Sequence, residues 1–286
     1  MILITGATGH LGGATLDFLL KKENINSIAA MARDSVKAAT LKTRGMEIRI
    51  ADYSDYSSLI QAFEGVDILL FVSSASPESS ERRQHHINVI NAAKEKKIKH
   101  VVYTSVLKAS DTAKFLPAIE HCHTEQYLQQ TGITYTIFRN TMYAEAVPQL
   151  LGNALQSGTW YFPAGNAKNN FASRTDIAEA LATVISQPLS HQNKVYEIAS
   201  GQSYSCGEIA AMISHNTGKP LIYNTISLEM MKKEMKKAGI NEAIIAMVSS
   251  GVEAINAGEF DITDTSLENI LGRKPADLKD CLKMLV

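Results

Sequence analysis

The chain has 286 residues, 45% of them hydrophobic, and 28 Lys and Arg against 29 Asp and Glu leave a formal charge of −1. That length and apolar share suffice for one large α/β domain or a nucleotide domain with a smaller appendage. The balanced charge, without a long block of one sign, argues against nucleic acid or a membrane surface as partner, and no apolar run approaches the roughly 20 residues of a bilayer span. Cys122, Cys206 and Cys281 are few, widely spaced and odd in number. They fit reduced thiols, and the N-terminal apolar run is too short for a secretory leader, so the expected location is cytoplasmic.

The chain opens with Ile2, Leu3 and Ile4, a buried-strand signal, followed directly by Gly6, Gly9 and Gly12 and an amphipathic helix over 14–22. A strand, a glycine turn and a helix start make a pyrophosphate cradle, because the free N–H groups and the positive end of the helix dipole point at the anion. Gly6 suits the sharp turn, Gly9 a close approach of phosphate and Gly12 close helix–strand packing, with Thr8, His10 and Leu11 completing the loop. Strands are then predicted at 28–32, 47–50, 66–72, 101–105 and 134–138, and helices at 36–44, 56–64, 82–96 and 119–130. The run Val-Asp-Ile-Leu-Leu-Phe-Val at 66–72 reads as a central strand covered on both faces. Alternation of this kind implies right-handed βαβ crossovers and a Rossmann-type doubly wound parallel sheet.

After about Arg139 the rhythm changes. Residues 144–156 read as helix, 158–171 as loop, 176–185 as helix, 195–198 as strand, and 206–217, 228–238 and 242–257 as helices. The expected organisation is a dinucleotide-binding domain over 1–143, with 173–200 packing back onto it. Residues 144–172 and 201–286 form a smaller, mostly helical substrate-side cap.

The residue that reads the adenosine ribose falls roughly twenty positions past the last motif glycine. An NAD-preferring chain places Asp or Glu there, but Ala32 and Arg33 fill this corner. A guanidinium suits a 2′-phosphate, so NADP(H) is the expected cofactor, with Asp34 keeping NAD(H) open as the alternative. Asp52 and Tyr53 end the third strand, near the expected adenine. Ser73 and Ser74 end the fourth, and Thr104 and Ser105 end the fifth, bordering the expected nicotinamide half. His85 and His86 lack partners at metal-ligand spacing, and no metal is expected.

Gly-Ala-Thr-Gly-His-Leu-Gly, Ala-Asp-Tyr, Val-Tyr-Thr-Ser, Tyr-Thr-Ile-Phe-Arg-Asn and Ser-Arg-Thr-Asp-Ile-Ala together resemble the atypical short-chain dehydrogenase/reductase superfamily. Within it the chain is similar to the NmrA-like branch, near type-2 NAD(P)H:quinone oxidoreductases and triphenylmethane reductases. Active members of the wider superfamily carry Tyr-x-x-x-Lys on the helix after the fifth strand. Counting back from Gly132 puts Pro117 at the Tyr position and His121 at the Lys position, so the usual proton donor is absent. Losing a positioned general acid typically costs 10² to 10⁴ in rate, about 3 to 5 kcal/mol.

A quinone escapes much of this cost, because hydride addition yields a stable aromatic hydroquinone anion that takes its proton from water. The resemblance therefore implies an NADPH-dependent oxidoreductase passing hydride to a quinone-like small molecule held at near-attack distance. His121 is the candidate ribose ligand, Ser105 a candidate polar group, and Asn140 and Tyr143 candidates to orient the acceptor. A redox-sensing regulator without catalysis is the rival reading. A nucleotide-sugar epimerase ranks below both because of Pro117. The sequence leaves the oligomeric state open, with a homodimer as one option.

Overall fold

The computed structural model describes all 286 residues. Its strands are β1 (Ile2–Ile4), β2 (Ile28–Ala32), β3 (Glu47–Ile50), β4 (Ile68–Phe71), β5 (His100–Val106), β6 (Thr134–Asn140), β7 (Met142–Tyr143), β8 (Thr159–Phe162), β9 (Lys168–Ala172), β10 (Lys194–Ile198), β11 (Ser203–Ser205) and β12 (Ile222–Thr225). The helices of the first half are α1 (His10–Leu19), α2 (Ala39–Thr43), α3 (Tyr56–Ala62), α4 (Ser79–Glu95) and α5 (Leu116–Gln130). Those of the second half are α6 (Val147–Leu151), α7 (Ala154–Ser157), α8 (Arg174–Ser186), α9 (Cys206–Thr217), α10 (Leu228–Lys237), α11 (Glu242–Asn256), α12 (Ser266–Leu271) and α13 (Leu278–Leu285). No helix is long and apolar enough to cross a membrane.

Two compact units emerge from the chain. The first comprises Met1–Val106, Glu120–Arg139 and Arg174–Tyr196. It is built on a seven-stranded sheet in the order β10-β6-β5-β4-β1-β2-β3, whose β6 and β10 end in residues of the second unit. The pairs β1–β2, β2–β3, β1–β4 and β4–β5 are all parallel, with Ile2 opposite both Ile28 and Ile68. Successive strands run outward from β1 on one side and from β4 on the other, which puts the topological switch between them. This is the Rossmann-type architecture that the alternation of elements predicts.

Burial explains the strand sequences. Leu3, Ala29, Leu69, Phe71, Val101 and Tyr103 share one core cluster with Leu59 and Phe63 from the α3 end and Val89 and Ile90 from α4. On the other face α1 packs along α8, whose Ile177, Ala178, Leu181, Ala182 and Ile185 are buried.

The second unit comprises Leu107–Ile119, Asn140–Ser173 and Glu197–Val286. Its hub is Asn170, wholly buried on β9. Its side-chain amide donates to the carbonyls of Ser200, Gln202 and Ile262 and accepts from Ser200 N–H, tying three segments together. Trp160 is buried, donates to Leu150 O at 3.0 Å and meets Tyr223 edge-on.

Local detail departs from expectation mainly here. The helix expected over 144–156 splits into a 3₁₀ turn, α6 and α7, because the chain turns at Gly152 and Asn153. The stretch expected as loop holds β8 and β9, whose partners β12 and β11 lie far along the chain. Such pairing leaves little local trace. In the first unit α2 is only Ala39–Thr43, shorter than expected, since Asp34 caps a turn at Val36 before the helix begins.

Candidate functional site

The glycine loop follows β1 without a spacer. Gly6 has φ +61° and lies where a Cβ would stand 3.2 Å from the Val72 side chain. Gly9 N–H donates to Gly6 O at 2.9 Å, closing the turn. A Cβ on Gly12 would fall 2.4 Å from Gly6 O and 2.9 Å from Thr5 O, so helix and strand approach here as only glycine permits. Gly9 caps α1 without a side chain, no acid occupies the first turn, and Gly13 N–H to Gly9 O is the first helical bond. The amides of His10, Leu11 and Gly12 are thereby left as donors at the positive end of the helix. That is the donor set a pyrophosphate requires.

These amides face a cavity of about 880 Å³, within the size range of cofactor sites. Its walls are the glycine loop, the ends of β2, β3 and β4, the connection from β4 to α4, and two side chains of α4. Gly6, Thr8, Gly9, His10, Leu11, Gly12, Arg33, Asp52, Tyr53, Ser73 and Ser74 all line it. Thr104, Ser105 and His121 do not.

At the β2 end, Arg33 is joined on the wall by Lys37 in the turn before α2, a residue with no motif of its own in the sequence. Both are exposed at their mouth of the cavity. Asp34 also lines it, but its Oδ1 accepts from Val36 N–H at 2.7 Å and is spent on a local turn. Partial burial works against ionising Asp52. The hydroxyl and amide of Ser54 and the field of Arg33 outweigh it and hold this carboxyl below the usual range. Tyr53 keeps its hydroxyl for the protein, donating toward Thr5 Oγ1 (2.5 Å) and Val72 O (2.7 Å), and burial pushes its pKa up.

The remaining candidates are drawn into hydrogen bonds of the scaffold. Thr104 Oγ1 accepts from Ser73 N–H at 3.0 Å, joining the ends of β4 and β5. Ser105 Oγ donates at 2.5 Å to Glu125, which the Arg139 guanidinium holds in a two-pronged ion pair. His121 is buried, with Nδ1 2.6 Å from Tyr103 Oη. Burial raises the Tyr103 pKa well above its usual range, and burial beside the Arg82 charge pushes the His121 pKa down to about 3.

In the second unit Asn140 ends β6 and is 3% exposed, and neither its Oδ1 nor its Nδ2 has a hydrogen-bond partner. Tyr143 is half-buried on β7, opposite Ala172 of β9. Pro117 sits in the first turn of α5, where a missing N–H costs nothing.

The loop, the cavity and the switch between β1 and β4 define a dinucleotide-binding protein of the Rossmann type. The chain belongs to the NmrA-like family, whose model matches residues 1–282. It is 37% identical over 286 residues to quinone oxidoreductase 2 of Escherichia coli, covering all of this chain and 98% of that one. The structure of an NADPH-dependent quinone oxidoreductase from Escherichia coli complexed with NADPH superposes with a TM-score of 0.93 at 35% identity, over 100% of this chain and 99% of that one. The Citrobacter sp. triphenylmethane reductase complexed with NADP(H) gives a TM-score of 0.92 at 33% identity, over 100% of both chains.

Proposed function

We propose that this chain is an NADP(H)-dependent oxidoreductase that passes hydride directly to a quinone or a similar conjugated electrophile. The similarity to quinone oxidoreductase 2 across the whole chain supports the reaction class. The cavity supports the cofactor: the amides of His10, Leu11 and Gly12 would hold the pyrophosphate, and Arg33 with Lys37 the 2′-phosphate. Bound there, NADPH supplies the hydride.

The observation that carries the choice of acceptor is the state of the two groups best placed by sequence to deliver a proton. Ser105 donates to a buried carboxylate, and a histidine with a pKa of about 3 is neutral at physiological pH and has no imidazolium proton to give. A simple ketone needs a general acid for its alkoxide, whereas a quinone accepts hydride and leaves as a stabilised anion. The protein's task reduces to holding the acceptor in place. In this reading Asn140 and Tyr143 of the second unit orient the acceptor, which gives the unpartnered Asn140 amide a ligand to bind. His121, at the superfamily's lysine position by register, lies buried off the cavity wall against Tyr103, so the ribose contact is not assigned to it.

The test is the initial rate of NADPH consumption with para-benzoquinone against a protein-free control. Saturable turnover is the expected result. Folded protein that binds NADPH without turnover would replace the enzyme by a cofactor-sensing regulator.

A further inference from the structure

The wall of the cavity between β4 and α4 has no regular structure, yet α4 grips it at every turn. Glu81, Arg82, His85 and His86 recur at one-turn spacing and so share a helical face. All four bond the connection. Glu81 Oε2 accepts from Ser76 Oγ at 2.5 Å, and Arg82 donates to Ser76 O. His85 Nδ1 lies 2.9 Å from Ser74 Oγ, which also accepts from Ser76 N–H at 3.3 Å. His86 is the innermost of the four, 1% exposed, and its Nε2 accepts from Ser74 N–H at 3.0 Å.

That last bond demands one tautomer. An imidazole nitrogen that accepts from an amide carries no hydrogen, so the neutral His86 ring must be protonated at Nδ1. The surroundings match this requirement. Nδ1 stands 2.8 Å from Thr124 Oγ1, and Thr124 passes its own hydrogen to Glu120 O at 2.8 Å. Donation therefore runs in one direction, from the cavity wall through His86 to α5. Phe71 edge-on at 5.2 Å, Tyr103 at 5.7 Å and His121 at 5.8 Å enclose the ring. Burial against these groups, with the nearby Arg82 charge, favours the neutral form.

We propose that His86 is a positioning residue for the dinucleotide site: Thr124 fixes its Nδ1–H tautomer, and Nε2 then holds the Ser74 amide and with it the β4–α4 wall. The inference rests on the reading of this cavity as the NADP(H) site. Ser74 itself spends its amide on α4 and its hydroxyl lies against His85, so its contribution to the site is the wall's shape.

The test combines two substitutions with a measurement on the unaltered protein. His86→Leu removes the acceptor and keeps apolar volume, whereas His86→Gln returns a carbonyl oxygen near the Nε2 position. Removing a single buried acceptor should raise the Kd and KM for NADPH about tenfold, with kcat at saturating NADPH within about twofold. His86→Gln should recover most of that loss. A Tm lowered equally in both variants, with NADPH affinity unchanged in the folded fraction, would reduce His86 to a packing residue and overturn the proposal. Should His86→Leu fail to fold, ¹⁵N-histidine spectra of the wild-type protein decide: an Nδ1–H signal for His86 supports the proposal, and Nε2–H overturns it. Wild-type protein that does not bind NADPH would instead count against the assignment of the cavity, while the tautomer still reports on the clamp.

Discussion

The β4–α4 wall of the first unit and Asn140 of the second handle buried polarity in opposite ways. Along the wall, donors and acceptors of Ser74 and Ser76 are matched within the protein, and the result is a fixed surface. Asn140 is more deeply buried, yet both polar atoms of its amide lack partners. Satisfied groups define the shape of a site, and an unsatisfied one is held ready for a ligand at a cost in stability.

The hardest blow to the comparison is Gly12→Ala. Its Cβ would meet backbone atoms of Gly6 and Thr5 that cannot move aside, so the cradle itself must shift. Overpacking of this kind costs about 1–3 kcal/mol, and NADPH affinity measured by fluorescence titration should fall well beyond tenfold. Unchanged affinity would remove the glycine loop from the site.

Arg33→Ala comes next. Loss of a charge-assisted contact to a 2′-phosphate, about 1.5–3 kcal/mol, should raise the KM for NADPH by one to two orders of magnitude. The KM for NADH should stay within about threefold, and Lys37→Ala should shift the same ratio in the same direction by less. Equal effects on the two cofactors would remove the specificity argument.

Asn140 sharpens the contrast further. Asn140→Ala should lower kcat about tenfold with little change in NADPH binding. Asn140→Leu should also raise the Tm, because an apolar side chain replaces an unsatisfied buried amide at no loss of hydrogen bonds. A wild-type rate would clear Asn140 of a role, and a lowered Tm would show that its amide supports the fold.

A separate test is the pH dependence of stability. Burial holds His100, whose Nε2 faces Thr136 Oγ1 at 2.8 Å, at a pKa of about 4 and His121 at about 3, against about 6.5 in the unfolded chain. The unfolded state takes up protons that the folded state refuses, so stability is complete above pH 6.5 and falls as the pH drops towards 4 and then 3. Each histidine contributes up to about 1.4 kcal/mol per pH unit. Urea midpoints measured from pH 7 to 4 should decline, and His100→Phe should flatten the decline.

Much of the first unit was legible in the sequence because its signals are local. A strand, three glycines and a helix start are contiguous, and the Arg-for-acid exchange at position 33 sits at the end of a strand whose place was already known. The second unit was less legible because β8 and β9 pair with β12 and β11 across long separations. The histidines illustrate the limit most sharply. On register, His121 reads as a polar-face residue or a ribose ligand, and His85 and His86 as a pair without partners. In the fold, adjacent side chains of one helix diverge, His85 to the cavity and His86 to the core.

By itself, then, the sequence determined the Rossmann sheet, the phosphate cradle and the cation that replaces the usual acid, all set by chain-neighbour sterics, hydrophobic periodicity and charge. Only the tertiary structure decided which polar groups are spent on one another and which remain open. That depends on atoms brought within 3 Å from distant segments, as Ser105 is to Glu125 and His86 to Ser74, and no spacing along the chain encodes it.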